Sequence, residues 1–448
     1  MRTAAHFSGY ITPAQAAAHP YLYVPIEIPS GCTRIDVSYH WHAPGAEDAG
    51  TIDIGIFDVR GVEPFTGGFR GWSGSARRTF FIARDSATPS YLPGPLPAGE
   101  WSVILGAYEV PEPGVQWFVT AEVESRAATA APAPIAPPPA RPSALSGDPR
   151  QGGDTLRWFR GDLHTHTVHS DGNNTIPEMA AEAERLGLDF MAITDHNTIT
   201  HHAEIDSREW PLLLLPGEEV TMYWGHCNVW GLREWVDFRF TTDEEVHRLL
   251  RWVEERRAPI SINHPKKVGP PWRFGTEGFG IREVWQAAWR WYNWESVSAW
   301  DEQLAAGKRI VPVGGSDAHG IPPTATHPHG PGTPTTWVHA ASFSEAGILE
   351  AITGGRTSIS DGPEGPFLTI NEREDDGFEV AFARAAGCTL ALVADGEERW
   401  RTELEGPSGA LAVPMDIRFD HYLRAELRSP AEKGREDVRA LCAPVYRE

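Results

Sequence analysis

The run "GDLHTHTVHSDG", residues 161–172, crowds His164, His166, His169 and Asp171 together. Further along, His196 closes "FMAITDH", Glu218 and Glu219 follow "LLLLPG", and His226 opens "HCNVWGL". His264 ends "PISINH", and Asp317 and His319 close "IVPVGGSDAH". Imidazoles and carboxylates without thiolates suit Zn²⁺, Mn²⁺ or Fe²⁺ rather than a soft-metal or iron–sulfur site. A single catalytic zinc takes three protein ligands and an open position. Some nine candidates exceed one ion and suffice for two or three. A carboxylate such as Glu219 or Asp317 could bridge cations about 3.5–4 Å apart, and clustered cations bring the pKa of a shared water near neutrality. No Ser-His-Asp, Cys-His or phosphate-loop pattern competes with this set.

Taken singly, each motif is weak, since Asp and His also cap helices and fill turns. His169 sits at an odd offset from the His164/His166 face and reads as a bystander. His201 and His202 open an acidic segment and read as surface residues. His327 and His329, in "HPHGPGTPTTW", either line the mouth of a site or belong to a structural loop. Cys227 reads as a small strand residue. Lys266 and Lys267, directly after "NHP", read either as contacts to an anionic substrate oxygen or as solvated loop lysines. The aromatic run "VWQAAWRWYNW" reads as an apolar wall over the site or as an amphipathic helix.

What would position these groups is a strand–helix alternation. "TIPEMAAEAERLG" carries a capping box, Thr175 with Glu178, and ends at Gly187; "TDEEVHRLLRWVEERR" repeats the logic with Thr242 and Glu245. "FMAITDH", "PLLLLPGEE", "PISINHP" and "RIVPVGGSDAH" read as strands between helices, which implies a parallel α/β sheet or barrel. In such a fold the strand ends share one face, where sites are built. The spacing of His164 and His166 on a presumed strand points both side chains the same way.

On either side the texture differs. Residues 1–126 contain short alternating runs ("YLYVPIEI", "RIDVSYHWH", "TIDIGIFDV", "WSVILGAYEV", "QWFVTAEVE") that predict an N-terminal β-sandwich. Residues 127–155 are Ala- and Pro-rich and read as a linker. Residues 156–362 hold the α/β region, and 363–448 read as a small C-terminal β domain.

The chain has 39 basic and 61 acidic residues among 448, a net charge of −22. That argues against nucleic-acid or anionic-membrane partners, which need basic stripes; a small anionic substrate stays open, because bound cations invert the local field. The four dispersed cysteines give no disulfide framework. No leader-like apolar segment or membrane-length run is present, so a cytoplasmic location is expected.

The ordered motifs "DLHTHTVHSDG", "ITDHNT", "PGEEVT", "GHCNVWG", "NHP" and "GGSDAHG" resemble the PHP (polymerase and histidinol phosphatase) superfamily over roughly residues 157–362. "PHGPGTPTTWV" and "VSAWDEQLAAGKR" make the resemblance strongest to its carbaryl-hydrolase-like (CehA/McbA) branch. The resemblance implies an α/β fold with a distorted seven-stranded, TIM-like barrel and a site for two or three divalent ions (Zn, Mn or Fe). By motif, His164 and His166 would bind a first metal shared with Glu219 and Asp317. Glu219 would bridge to a second held by His226 and His264. Asp171, His196 and His319 would hold a third, and Asp195 would orient an imidazole from behind. The family pattern ends in Glu-Val-Thr, which favours Glu219 over Glu218.

The function this implies is a metal-dependent hydrolase, first a phosphoesterase in which metal-bound hydroxide attacks phosphorus. Asp317, His319 and His226 would form the catalytic group, with His319, His226 or water protonating the leaving group. Hydrolysis of a carbamate, ester or amide at the same centre is the alternative, and a binding protein with a vestigial barrel the third reading. The expected partner is a small-molecule substrate, phosphorylated in the first reading.

Overall fold

A computed structural model of the chain describes residues 1–45, 49–126, 156–323, 328–375, 377–430 and 436–447. The expected linker, 127–155, and His327 lie outside the described residues.

The N-terminal region holds β1 (Arg2–Ile11), α1 (Pro13–Ala18), β2 (Tyr21–Ile28), β3 (Cys32–His42), β4 (Thr51–Phe57), β5 (Phe69–Gly74), β6 (Thr79–Ala83), β7 (Gly99–Glu109) and β8 (Val115–Ser125). They form two four-stranded antiparallel sheets, in the orders β1-β8-β3-β6 and β2-β7-β4-β5. Alternation works as read: Val24, Ile26 and Ile28 of β2 and Ile35, Val37 and Tyr39 of β3 turn into one buried cluster shared by both sheets.

The middle region runs β9 (Arg157–Asp162), α2 (Ile176–Arg185), β10 (Phe190–Ile193), α3 (His202–Ile205), β11 (Leu213–Met222), β12 (Gly225–Trp230), α4 (Asp243–Glu255), β13 (Ile260–Ile262), β14 (Ile281–Gln286), α5 (Asn293–Ala305), β15 (Val311–Gly315), β16 (Thr335–Ala340), α6 (Glu345–Thr353) and β17 (Thr357–Ser360). Both expected capping boxes form, at Thr175 with Glu178 and at Thr242 with Glu245. Helix α2 buries Ile176, Met179, Ala180 and Ala183; α4 buries Val246, Leu249 and Val253.

Two expectations about this sheet need correcting. It is mixed, not parallel: β9, β10 and β11 run parallel, but β12 is antiparallel to both β11 and β13. The cause is local, since only Tyr223 and Trp224 separate β11 from β12 and so short a link permits a hairpin alone. Nor do the seven strands β9–β15 close into a TIM-like barrel. The paired path runs β15-β14-β13-β12-β11-β10-β9-β16-β17 and stays open at β15. Side chains stitch that seam instead: Gly314 N donates to Thr336 Oγ1 at 2.8 Å, Thr336 Oγ1 donates to Gly314 O at 2.7 Å, and Thr357 Oγ1 donates to Pro312 O at 2.8 Å. Pro312 has no N–H with which to extend a backbone ladder.

The C-terminal strands are β18 (Phe367–Glu372), β19 (Phe378–Ala383), β20 (Thr389–Ala394), β21 (Glu397–Glu403), β22 (Gly409–Ala412), β23 (Tyr422–Arg428), β24 (Val438–Cys442) and β25 (Val445–Tyr446). β24 pairs with β17, so the middle sheet continues through β24, β23, β20 and β21, while β18, β19 and β22 form a separate three-stranded sheet. No helix among the described residues is long and apolar enough to cross a membrane.

The N-terminal sheets also share a core with the middle region. Phe57, Phe69, Trp72 and Ile104 pack with Val220, Met222, Cys227 and Phe238 in one buried cluster, and the rings of Phe69 and Trp235 stack at 4.0 Å. This interface fixes one wall of the site described next.

Candidate metal centre

His164 and His166 lie just past the end of β9, on either side of Thr165, which bridges to Ala318. Thr165 turns its hydroxyl to Ala192 O at 2.7 Å, so both flanking imidazoles face the other way, their rings 5.1 Å apart. His196 follows β10, Glu219 lies within β11, His226 within β12, His264 follows β13, and Asp317 and His319 follow β15. His264 and Asp317 hold positive φ, 28° and 54°, a costly backbone for a histidine that marks positions fixed by their surroundings.

These segments converge. His164 Nε2 lies 3.2 Å from Glu219 Oε1, and His166 Nε2 lies 2.9 Å from Asp317 Oδ1. Glu219 is the hub, with His196 Nδ1 at 2.8 Å, His226 Nδ1 at 3.2 Å and His264 Nε2 at 3.3 Å. Asp171 Oδ1 stands 3.5 Å from His196 Nε2 and 3.4 Å from His319 Nε2. Four groupings have donor atoms within 4.8 Å of one another: His166/Asp171/His196/His319, His164/Glu219/His264, His164/His166/Asp317 and His196/Glu219/His226. All nine sequence-derived candidates are therefore brought together. Glu218 is not among them: strand alternation turns it to the opposite face, where its Oε2 accepts the Val236 N–H at 2.9 Å.

The donor set fits divalent cations. His164 Nε2, His166 Nε2, Glu219 Oε2 and Asp317 Oδ1 are buried and make no hydrogen bond, although they face one another. Each such group costs about 1–3 kcal/mol when left unpaired. Burial opposes ionisation of Glu219, yet His164, His226 and His196 hold its pKa well below the carboxylate range. Asp317 behaves alike, with burial outweighed by His164 and His319. Burial, reinforced by His319 and His196, pushes His166 down to about 4, so at neutral pH its lone pair is free to ligate.

A surrounding shell orients these donors. Glu283 Oε1 accepts from His164 Nδ1 at 2.9 Å, Asn263 Nδ2 donates to Glu219 Oε1 at 2.9 Å, and Gln286 Nε2 donates to Asp317 Oδ2 at 2.8 Å. None of the three was singled out from sequence; Glu283 and Gln286 lie on β14, whose aromatic surroundings mask them. Asp195, expected to orient an imidazole of the set, instead accepts from Thr167 N, Thr167 Oγ1 and Ser170 Oγ at 2.7, 2.7 and 2.6 Å, and the imidazole 3.4 Å from it is that of His201, which is not one of the nine.

The remaining histidines and lysines divide. His201 and His202 are buried, not on the surface; both Nε2 atoms face Gly217 O, at 2.8 and 3.0 Å. His169 contacts Thr200 Oγ1 at 2.8 Å and joins none of the four groupings. Neither lysine lines the site. Lys266 is buried with its Nζ donating to Gln286 O and Asn293 Oδ1 at 3.0 and 2.9 Å. Lys267 is exposed and paired with Glu295 at 2.9 Å. The run "VWQAAWRWYNW" is neither a single helix nor a continuous wall: it spans the end of β14, a turn and the start of α5, and contributes Trp291 beside His329 to the cavity.

Residues 162–242 match the PHP domain family. No curated protein matches the chain. Several solved structures show similarity, two of them as follows. One is a two-domain protein of Bacteroides vulgatus containing a candidate PHP-like metal-dependent phosphoesterase, 19% identical, covering 65% of this chain and 97% of that one, with a TM-score of 0.38. The other is a candidate metal-dependent phosphoesterase of Bifidobacterium adolescentis, 17% identical, covering 43% and 95%, with a TM-score of 0.28.

Proposed function

We propose that the chain is a metal-dependent phosphoesterase acting on a small-molecule phosphoester, with two or three divalent ions, Zn²⁺, Mn²⁺ or Fe²⁺, held by its histidine–carboxylate cluster. The observation that carries this reading is the convergence of His164, His166, Asp171, His196, Glu219, His226, His264, Asp317 and His319 in one cluster, seven of them lining one cavity, with buried lone pairs facing one another. The PHP domain match over 162–242 supports the phosphoester class. His164, His166, Glu219 and Asp317 would hold a first ion, Glu219 with His226 and His264 a second, and Asp171, His196 and His319 a third.

Divalent ions bound there would supply Lewis acidity toward the phosphoryl oxygens and lower the pKa of water. The chain's own residues do the rest. Glu283, Asn263 and Gln286 fix the donors before substrate arrives, which keeps reorganisation small. His226, His319 and Asp317 line the cavity; with two ions only, the Nε2 of His319 would carry no metal and could pass a proton to the leaving oxygen, and with three ions water would supply it.

The test is elemental analysis of metal-replete protein, joined to a panel of phosphomonoesters, phosphodiesters, aryl esters and carbamates with Zn²⁺, Mn²⁺ and Fe²⁺. Bound transition metal and phosphoester turnover are expected, with Asp317→Asn and His264→Ala abolishing turnover while circular dichroism stays native. Metal below one equivalent, or both variants fully active, would overturn the reading. Turnover confined to aryl esters or carbamates would overturn the phosphoester assignment.

A further inference from the structure

The cavity has a second wall, contributed by the N-terminal sheets. It encloses about 600 Å³, enough for a drug-sized molecule. Asp171, His196, Glu219 and Asp317 lie on one side; Asp53 of β4, Trp72 of β5 and Tyr108 of β7 lie on the other, with Tyr223 from the β11–β12 turn. Among the described residues, no Lys or Arg lines this space, and Asp53 is the one charged side chain on the N-terminal wall.

Asp53 is held in place by its surroundings. It is 8% exposed, and its Oδ2 accepts the Tyr223 hydroxyl at 2.7 Å. Its Oδ1 accepts no hydrogen bond from the described residues. Opposite it in register stands Gly106 of β7, where a Cβ would lie 2.0 Å from the Tyr223 hydroxyl, so the glycine admits the phenol. Tyr21 stacks on Tyr223 at 5.4 Å. Burial pushes the Asp53 pKa up to about 6, with the Tyr223 hydrogen bond and His196 working the other way, so the group is ionised at pH 8. Oδ1 faces the cavity, so its donor must come from water or from a bound ligand.

We infer that Asp53 is a substrate-binding residue whose Oδ1 takes an ammonium or hydroxyl donor on the part of the substrate remote from the metal centre. The substrate class is then a phosphoester whose leaving group is cationic or neutral and donor-bearing, and a second anionic group beside Asp53 is disfavoured by the carboxylate, with no Lys or Arg among the described lining residues to offset it. The phosphoester half of this statement rests on the function proposed above; the role of Asp53 does not.

The test is direct binding at pH 8, by calorimetry or tryptophan fluorescence, of 2-phenylethylamine and its donor-free isostere propylbenzene. The metal-replete wild type is expected to bind 2-phenylethylamine at least about tenfold more tightly, as a charge-assisted hydrogen bond allows. Asp53→Asn still accepts from Tyr223 and should fold normally, yet bring the ratio to about one while leaving propylbenzene affinity unchanged. Tyr223→Phe keeps the carboxylate and should keep the preference. Equal affinities in the wild type, no saturable 2-phenylethylamine binding, a preference surviving Asp53→Asn, or its loss in Tyr223→Phe would each overturn the inference. A protein that shows the preference and hydrolyses no phosphoester would overturn the activity and leave Asp53 assigned.

Discussion

His164 donates its Nδ1–H to Glu283 Oε1 at 2.9 Å, and the other oxygen of Glu283 accepts the His264 backbone N–H at 2.8 Å. One carboxylate thus fixes the ring of one candidate ligand and the backbone of another. With Nδ1 committed, Nε2 of His164 is left facing Glu219 and Asp317. Partners of this kind are worth about 10–100-fold in metal affinity. Glu283→Gln is expected to weaken metal retention by that order, read by competition with a chelator, with an unchanged circular dichroism spectrum.

Lys266 and Lys267 separate into two different outcomes. Lys267 is exposed and paired with Glu295, so Lys267→Ala should leave kcat and KM unchanged. Lys266 Nζ holds Gln286 O, and Gln286 in turn donates to Asp317, so Lys266 is a positioning residue. Burial lowers its pKa to about 8. Lys266→Met is expected to lower kcat while moving KM little, because the loosened group is Asp317 and not a substrate contact. Steady-state kinetics on a phosphoester substrate checks both.

The sequence made most of the donor set legible because those residues recur at strand ends, a placement that survives any error in topology. Helix starts were legible for a different reason: the Thr175/Glu178 and Thr242/Glu245 boxes are local hydrogen bonds. Strand β1 was not, since "RTAAHFSGYI" is almost wholly exposed and lacks large alternating apolar residues. The hydrogen bonds that bury His201 and His202 reach Gly217, about fifteen residues away across a loop, and leave no trace in local polarity. Asp53 and Tyr223 are 170 residues apart and meet through sheet packing alone.

That packing can be measured at Gly106. A methyl group there meets the Tyr223 hydroxyl at 2.0 Å and the Trp72 ring at 2.8 Å. Gly106→Ala is expected to destabilise the protein by about 1–3 kcal/mol through overpacking. Tyr223→Phe removes the nearer obstacle, so the double variant should recover part of the loss. A thermal-melting double-mutant cycle reads the coupling, and additive losses would show that the two positions do not meet.

The C-terminal sheet is tied to α5 by a buried ionic cluster. Arg424 donates through Nε and Nη2 to Asp301 at 2.8 and 2.7 Å and through Nη1 to Glu426 at 2.7 Å, while Tyr422 donates to Asp301 at 2.6 Å. Removing one member of such a cluster leaves a buried charge unpaired, so Asp301→Ala should cost about 3–5 kcal/mol. Burial opposes ionisation of Glu426, but Arg424 and Arg428 prevail and hold its pKa below the ordinary 4.5. The unfolded chain therefore takes up this proton at higher pH than the folded one. The stabilisation from Glu426 is fully present above the unfolded value and is lost as pH falls through the folded value. Glu426→Gln should flatten the acid limb of a melting-temperature profile below about pH 4.5, and an acid limb identical to that of the wild type would remove Glu426 as its source.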